Sequence, residues 1–174
     1  KYVDSEHFAF YLLDVCGHGI KSALHSVSIL NVLNFGNLPD TDFRKPEQVL
    51  AELNNRFQMS VHNDLFFSMF YSVFNIRTRK LTYSGAGHPP VFMLDSKHKE
   101  TALPSRHKIM GIIQQLQFTS DTISIKPNTD LYLYTDGVYE FKTVSGKRGE
   151  VEDVLESIRN LNKSDDKKLQ NIYL

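Results

Sequence analysis

The chain has one cysteine, Cys16, among its 174 residues. A single thiol cannot close an internal disulfide, so no disulfide framework supports the fold, and a reducing, cytoplasmic compartment is the simpler expectation. No apolar run approaches the about 18 residues that a membrane-spanning helix needs, and no signal-peptide pattern opens the chain. An excess of one charge is also missing: 20 Lys and Arg balance 20 Asp and Glu. That balance gives no electrostatic reason to expect nucleic acid or an anionic membrane as a partner. Internal repeats and low-complexity segments are absent, as are a P-loop, a dinucleotide fingerprint, an HExxH helix and a CxxC pair.

What is present suits one folded domain over residues 1–174. Apolar residues make up 41% and charged residues 23%, enough for a core and too apolar for disorder. The chain begins with Lys1 and enters a strand almost at once, which reads as a piece of a longer polypeptide. Phe8 to Leu13 (FAFYLL) is a short aromatic strand ending at a glycine-rich turn. From Gly19 to Asn34 the period becomes helical, and Ile20, Ala23, Leu24, Val27 and Leu30 are expected to form the apolar face. Pro46 opens a second helix with a stripe of Val49, Leu50, Leu53 and Phe57. Phe66 to Phe74 is apolar on both faces, as a central covered strand should be. Leu81 to Ser84 is its hairpin partner across the turn Asn75 to Lys80.

Val91 to Leu94 is a further strand. Asp95 to Lys108 is charged and irregular and reads as a surface loop holding at most a short edge strand. Thr122 to Ile125 and Leu131 to Tyr134 are expected to pair with each other across KPNTD. Glu150 to Leu161 is an amphipathic helix carrying Val151, Val154, Leu155, Ile158 and Leu161. Hairpins dominate, so the expected class is α+β with antiparallel sheet.

Two aspartates share one context. Asp14 follows FAFYLL, and Asp136 follows LYLYT and precedes Gly137. Asp-Gly is a common turn pair, so either one alone reads first as turn chemistry. The matched pair raises a second reading: a strand end brought to a sheet edge is an expensive place for a carboxylate unless something pairs with it. Two such carboxylates on one edge suit a hard cation such as Mg²⁺ or Mn²⁺. Of the histidines, His18 lies in the turn beside Asp14, where it could donate a proton or meet a phosphate oxygen, though hydrogen bonding in the turn is the commoner role. His88 in GAGHPP reads as a turn residue first and a site residue second. His25 and His62 have no partner legible in the sequence. Cys16 lacks the His and Asn companions of a cysteine nucleophile.

DVCGHG (14–19) before an apolar helix, LTYSGAGHPP (81–90), MG (110–111) and LYLYTDGVYE (131–140) follow one another in order. Together they resemble the SpoIIE-type branch of the metal-dependent (PPM) protein serine/threonine phosphatases, which includes bacterial sigma-factor regulators. LNNRFQM (53–59) and HNDLFF (62–67) resemble a subgroup often attached to response-regulator receivers. The resemblance implies two antiparallel sheets packed face to face with helices outside. It implies Asp14 bridging two Mn²⁺ or Mg²⁺ ions, the Val15 carbonyl as a further oxygen ligand, and Asp136 on one metal. The implied chemistry is attack of a metal-activated water on phosphoserine or phosphothreonine. The implied substrate is a regulatory protein, an anti-sigma-factor antagonist of the STAS type.

Three positions depart from the family pattern. Cys16 stands where serine is usual. The family's upstream Gly-Gly-Asp ligand motif has no match in the 13 residues before Asp14. Its C-terminal Asp-Asp would fall on Asp165 and Asp166, which Lys167 and Lys168 follow. A phosphatase-fold module that docks a signalling partner without turnover is therefore the alternative.

Overall fold

The computed structural model describes residues 1–62, 64–139 and 150–161. Asp165 and Asp166 lie outside the described residues. Two antiparallel sheets carry the fold. The first has the order β1 (His7–Val15), β2 (Phe67–Asn75), β3 (Lys80–Ala86), β6 (Asp121–Ser124). The second has the order β5 (Glu100–Leu103), β4 (Val91–Leu94), β7 (Asp130–Tyr132). Helices α1 (Ile20–Phe35) and α2 (Pro46–Arg56) cover the outer face of the first sheet, and α3 (Val151–Leu161) follows β7.

β2 explains the layering. Its odd-numbered residues Phe67, Met69, Tyr71 and Val73 join Val49, Leu50, Leu53, Ile29 and Leu33 in the core beneath the helices. Phe70, facing the other way, joins Leu81, Tyr83, Val91, Met93 and Leu103 in the core between the sheets. A strand with both faces apolar has to lie between two layers, as the sequence expectation for Phe66 to Phe74 required. Each fully buried Phe or Leu here contributes about 1.5–3 kcal/mol through apolar burial. The α2 stripe is also as expected, with Pro46 in the first turn and Val49, Leu50, Leu53 and Phe57 buried. The β2–β3 turn is fixed by the Asn75 side chain, whose Oδ1 accepts from the backbone N–H groups of Arg77 and Thr78. The charged stretch after β4 does hold one short edge strand, β5, and Arg159 of α3 forms an ion pair with Glu100 on it.

Two expectations are corrected. The strands around 122–125 and 131–134 do not pair with each other: β6 pairs with β3, and β7 with β4. The intervening KPNTD is a passage between layers. On one side of it Ile125 donates its N–H to the Arg79 carbonyl at the edge of the first sheet. At its first residue, Lys126 pairs at 3.1 Å with Asp95, which sits just after β4 of the second sheet. The second correction concerns α1. Its buried residues are Ser22, His25, Ile29, Val32 and Leu33, whereas Ile20, Leu24 and Val27 are exposed by 79%, 62% and 51%. The apolar residues of the helix are spread round it, so periodicity could not choose its face. Polar anchors choose it instead: the Ser22 hydroxyl donates to the Cys16 carbonyl, and the His25 ring lies edge-on to Phe57 and Phe67.

Candidate functional site

Asp14 lies one residue from the end of β1, opposite Ser68 of β2. The ladder continues beyond it: Val15 pairs with Phe67, and the Cys16 N–H donates to the Phe66 carbonyl at 2.9 Å. The Phe66 N–H returns to the Cys16 sulfur at 3.3 Å. Gly17 then turns the chain with φ of 80°, a left-handed value that glycine adopts without a Cβ penalty. Three residues later α1 begins. The aspartate thus sits on an edge strand whose ladder with β2 holds it both before and after Asp14, immediately before a sharp reversal.

Asp136 arrives from the other sheet. β7 ends at Tyr132, and a single 3-10 turn, Asp136–Val138, follows. The Tyr139 N–H donates to the Asp136 carbonyl at 3.0 Å, which closes that turn. Behind it Tyr134 is buried and stacks on Phe92 of β4, and burial pushes its hydroxyl pKa up to about 12.

The two aspartates line one cavity of about 490 Å³, together with Val15, Cys16, Ser68, His88 and Tyr139. The wall between them comes from the end of β3. Gly87 there has φ of 63°, and its N–H donates to the His107 carbonyl. A Cβ on Gly87 would lie 2.9 Å from the Ile109 backbone, so only glycine lets the segment 107–109 pass this close. That segment is pinned further on by Asn54 of α2, which is fully buried. Its Oδ1 accepts from Gly111 N–H at 2.9 Å, and its Nδ2 donates to the Ile113 carbonyl at 2.8 Å. The sequence alone does not single out Asn54 as a key residue. Its signal there was a polar residue beside the α2 stripe, within LNNRFQM, and only the MG motif it grips gives it meaning.

The other predicted residues fall out unevenly. His88 is 4% exposed and faces this cavity, so it is more than a turn residue. Burial lowers its pKa, and the Asp136 carboxylate opposes that shift. His18 is exposed and is not among the cavity-lining residues. His25 of α1 and His62, without partners in the sequence reading, lie with their rings 5.3 Å apart and tilted to each other, away from the cavity lining. Cys16 lines the cavity, with its sulfur accepting from the backbone.

Among the lining residues, the Asp14 and Asp136 carboxylates and the Val15 carbonyl are oxygen donors of the kind that suits Mg²⁺ or Mn²⁺. Among the described residues no three His, Cys, Asp or Glu side chains gather into a preformed cage. Two carboxylates and a carbonyl leave most of an octahedral shell to water. No helix among the described residues is long and apolar enough to cross a membrane.

Comparison with known proteins agrees with this architecture. The family described as Stage II sporulation protein E (SpoIIE) matches residues 4–173. Phosphoserine phosphatase RsbU of Bacillus subtilis (strain 168) is 31% identical over 144 residues, which is 82% of this chain and 42% of that protein. The chain thus spans about two fifths of that relative's length. Among solved structures, the PP2C phosphatase domain of SpoIIE from Bacillus subtilis, with a fragment of its regulatory domain, superposes with a TM-score of 0.76. Its sequence identity is 14%, and the match covers 99% of this chain and 48% of that one. RsbX in complex with magnesium superposes at 0.61, with 16% identity, over 96% of this chain and 79% of that one. At these identities the structures establish the shared fold.

Proposed function

Because this chain belongs to the SpoIIE family, we propose that residues 1–174 form the catalytic domain of a metal-dependent protein serine/threonine phosphatase. The observation that carries the reading is the convergence of Asp14 and Asp136, from different sheets, on one cavity. Asp14, Asp136 and the Val15 carbonyl would hold Mn²⁺ or Mg²⁺. Such ions supply positive charge for the phosphoryl group and a water acidic enough to attack at neutral pH. The chain's own residues do the rest. The clamped end of β1 fixes Asp14 before any ion arrives, which removes reorganisation from the binding step. The 3-10 turn presents Asp136 from the opposite wall, so the phosphoryl group is held between two sheets. Cys16 stays out of the chemistry, its sulfur occupied by the Phe66 N–H. The open cavity suits a phosphoserine or phosphothreonine on a protein. The relation to a phosphoserine phosphatase supports a phosphorylated protein as substrate; from the resemblance of the motifs we read that substrate as a regulatory protein of the STAS type, with a sensory domain such as a receiver attached.

The test is phosphate release from a phosphoserine protein with Mn²⁺ and with EDTA, for wild type and Asp136→Asn. Metal-dependent release that the variant loses is expected; a variant within threefold of wild type would sink the assignment. One observation favours a second reading, a docking module without turnover: no three metal-binding side chains gather among the described residues. That reading predicts retention of the phosphoprotein with no phosphate released.

A further inference from the structure

A protein carrying phosphoserine is far larger than the cavity, so most of its contact with this chain has to fall on the rim. The lining itself offers it little: no Lys or Arg is among the described residues that line the cavity, so no permanent cation waits for the phosphoryl group. A specific protein–protein interface buries about 800 Å² on each partner, the area of a disc about 16 Å in radius. Three residues of chain reach at most about 11 Å. Ile20 stands three residues after Gly17, and Ile112 three residues after Ile109, and both Gly17 and Ile109 line the cavity. Both isoleucines therefore lie under the footprint of a protein that inserts its phosphoresidue here.

That rim is apolar and open. Ile20 is 79% exposed, Leu24 62%, Val61 77% and Ile112 47%. Three contacts join their segments around the mouth. Ser22, between Ile20 and Leu24, donates its hydroxyl to the Cys16 carbonyl in the cavity wall at 3.0 Å. The His25 and His62 rings lie 5.3 Å apart, which brings Val61 beside α1. The Met59 N–H donates to the Gly111 carbonyl at 2.8 Å, which brings the same loop beside Ile112. Lys21 is the one charged residue of α1, so a partner meets an apolar face rather than a charged one. Exposed apolar patches of this kind mark sites of protein interaction. A second copy seated on this one would cover the approach to the cavity, which an enzyme acting on proteins has to keep open. We propose that Ile20, Leu24, Val61 and Ile112 form the docking rim for the phosphoprotein substrate, which presents an apolar surface beside its phosphoresidue. This rests on the phosphatase reading above. None of the four side chains lines the cavity, so the rim acts in binding and takes no part in the chemistry.

Steady-state kinetics with Mn²⁺ on two substrates test this: a STAS-type protein phosphorylated on serine, and p-nitrophenyl phosphate, which is too small to reach the rim. Ile20→Glu and Ile112→Glu should each raise KM for the phosphoprotein by about tenfold or more, with kcat changed less, and leave hydrolysis of p-nitrophenyl phosphate within about twofold of wild type. Ile76→Glu is the control. Ile76 is 46% exposed and follows Asn75, which pairs with His7 at the end of β1 remote from Asp14. It should change neither substrate. A KM for the phosphoprotein that neither rim variant moves overturns the inference, as does a loss that p-nitrophenyl phosphate or Ile76→Glu shows equally. A wild-type dimer in light scattering that Ile20→Glu makes monomeric, with phosphoprotein kinetics unchanged, assigns the rim to a second copy and overturns it too. All of these leave the phosphatase reading standing. Hydrolysis of neither substrate by wild type removes that reading and this inference with it. Should Ile20→Glu not fold, Ile112→Glu and Ile76→Glu still decide.

Discussion

The ends of β1 and β7 read alike in sequence, each an apolar strand running into aspartate and glycine, and the structure builds them differently. Asp14 lies inside a nine-residue strand whose pairing with β2 continues through Val15 and Cys16. Asp136 stands four residues beyond a three-residue strand, in a 3-10 turn that one backbone bond closes. One carboxylate is preset by a ladder, and the other depends on a short turn. A bound cation would therefore order the β7 side more than the β1 side. The comparison teaches that equal motifs need not be equally rigid, and that a shared site can join a fixed half to an adjustable one.

Removing either carboxylate should have the largest effect. Asp14→Asn and Asp136→Asn keep shape and lose charge, and each should lower Mn²⁺-dependent phosphate release by about a hundredfold or more. If the β7 side is the adjustable one, Asp136→Asn should also abolish most Mn²⁺-induced hydrogen-exchange protection near residues 134–139. Equal protection at both strand ends in wild type would break the comparison.

Next comes Asn54→Ala, which acts on the wall between the two ends. It leaves the Gly111 N–H and the Ile113 carbonyl buried without their partner and should cost about 2–4 kcal/mol in urea unfolding. Gly87→Ala should cost about 1–3 kcal/mol, because φ of 63° and the Ile109 backbone both oppose a Cβ. A loss below 0.5 kcal/mol in either variant would show that the 107–111 segment adjusts freely.

A smaller effect is expected with pH. Burial, and then the neighbouring His62, hold the His25 pKa below its ordinary 6.5. The folded state therefore binds this proton less readily than the unfolded chain. Stability is full above about pH 6.5 and falls as the pH drops below it, until the folded His25 itself titrates. His88, also lowered by burial, adds a slope of the same sign. In His25→Gln the fall in melting temperature between pH 7.5 and 5.5 should flatten without vanishing; an unchanged slope would remove His25 from the account. Cys16→Ser should change turnover by less than about twofold, because no step uses the thiol.

Much of this fold was legible because its signals are local. FAFYLL, FFSMFYSVF and the Pro46 stripe declare their period and their burial within a few residues. What was not legible depends on distant partners. The face of α1 is set by Cys16, Phe57 and Phe67, and its own apolar residues point every way. β6 and β7 are separated by five residues, yet each pairs with a strand from a different layer, and no local pattern reports that. At the site, Asp14 and Asp136 stood out by context, and both line the same cavity. His88 could not be ranked above a turn residue until the structure placed it in the lining of that cavity. His18, conspicuous in the sequence beside Asp14, points to solvent.

The central claim is that the two strand ends form one metal centre, and a double-mutant cycle on Mn²⁺-dependent phosphate release tests it most directly. Residues of one centre act as a unit, so the loss in Asp14→Asn/Asp136→Asn should be no greater than the larger single loss. Losses that multiply, each variant keeping its own fraction of activity, would mean that the two aspartates serve separate roles and that the shared centre does not exist.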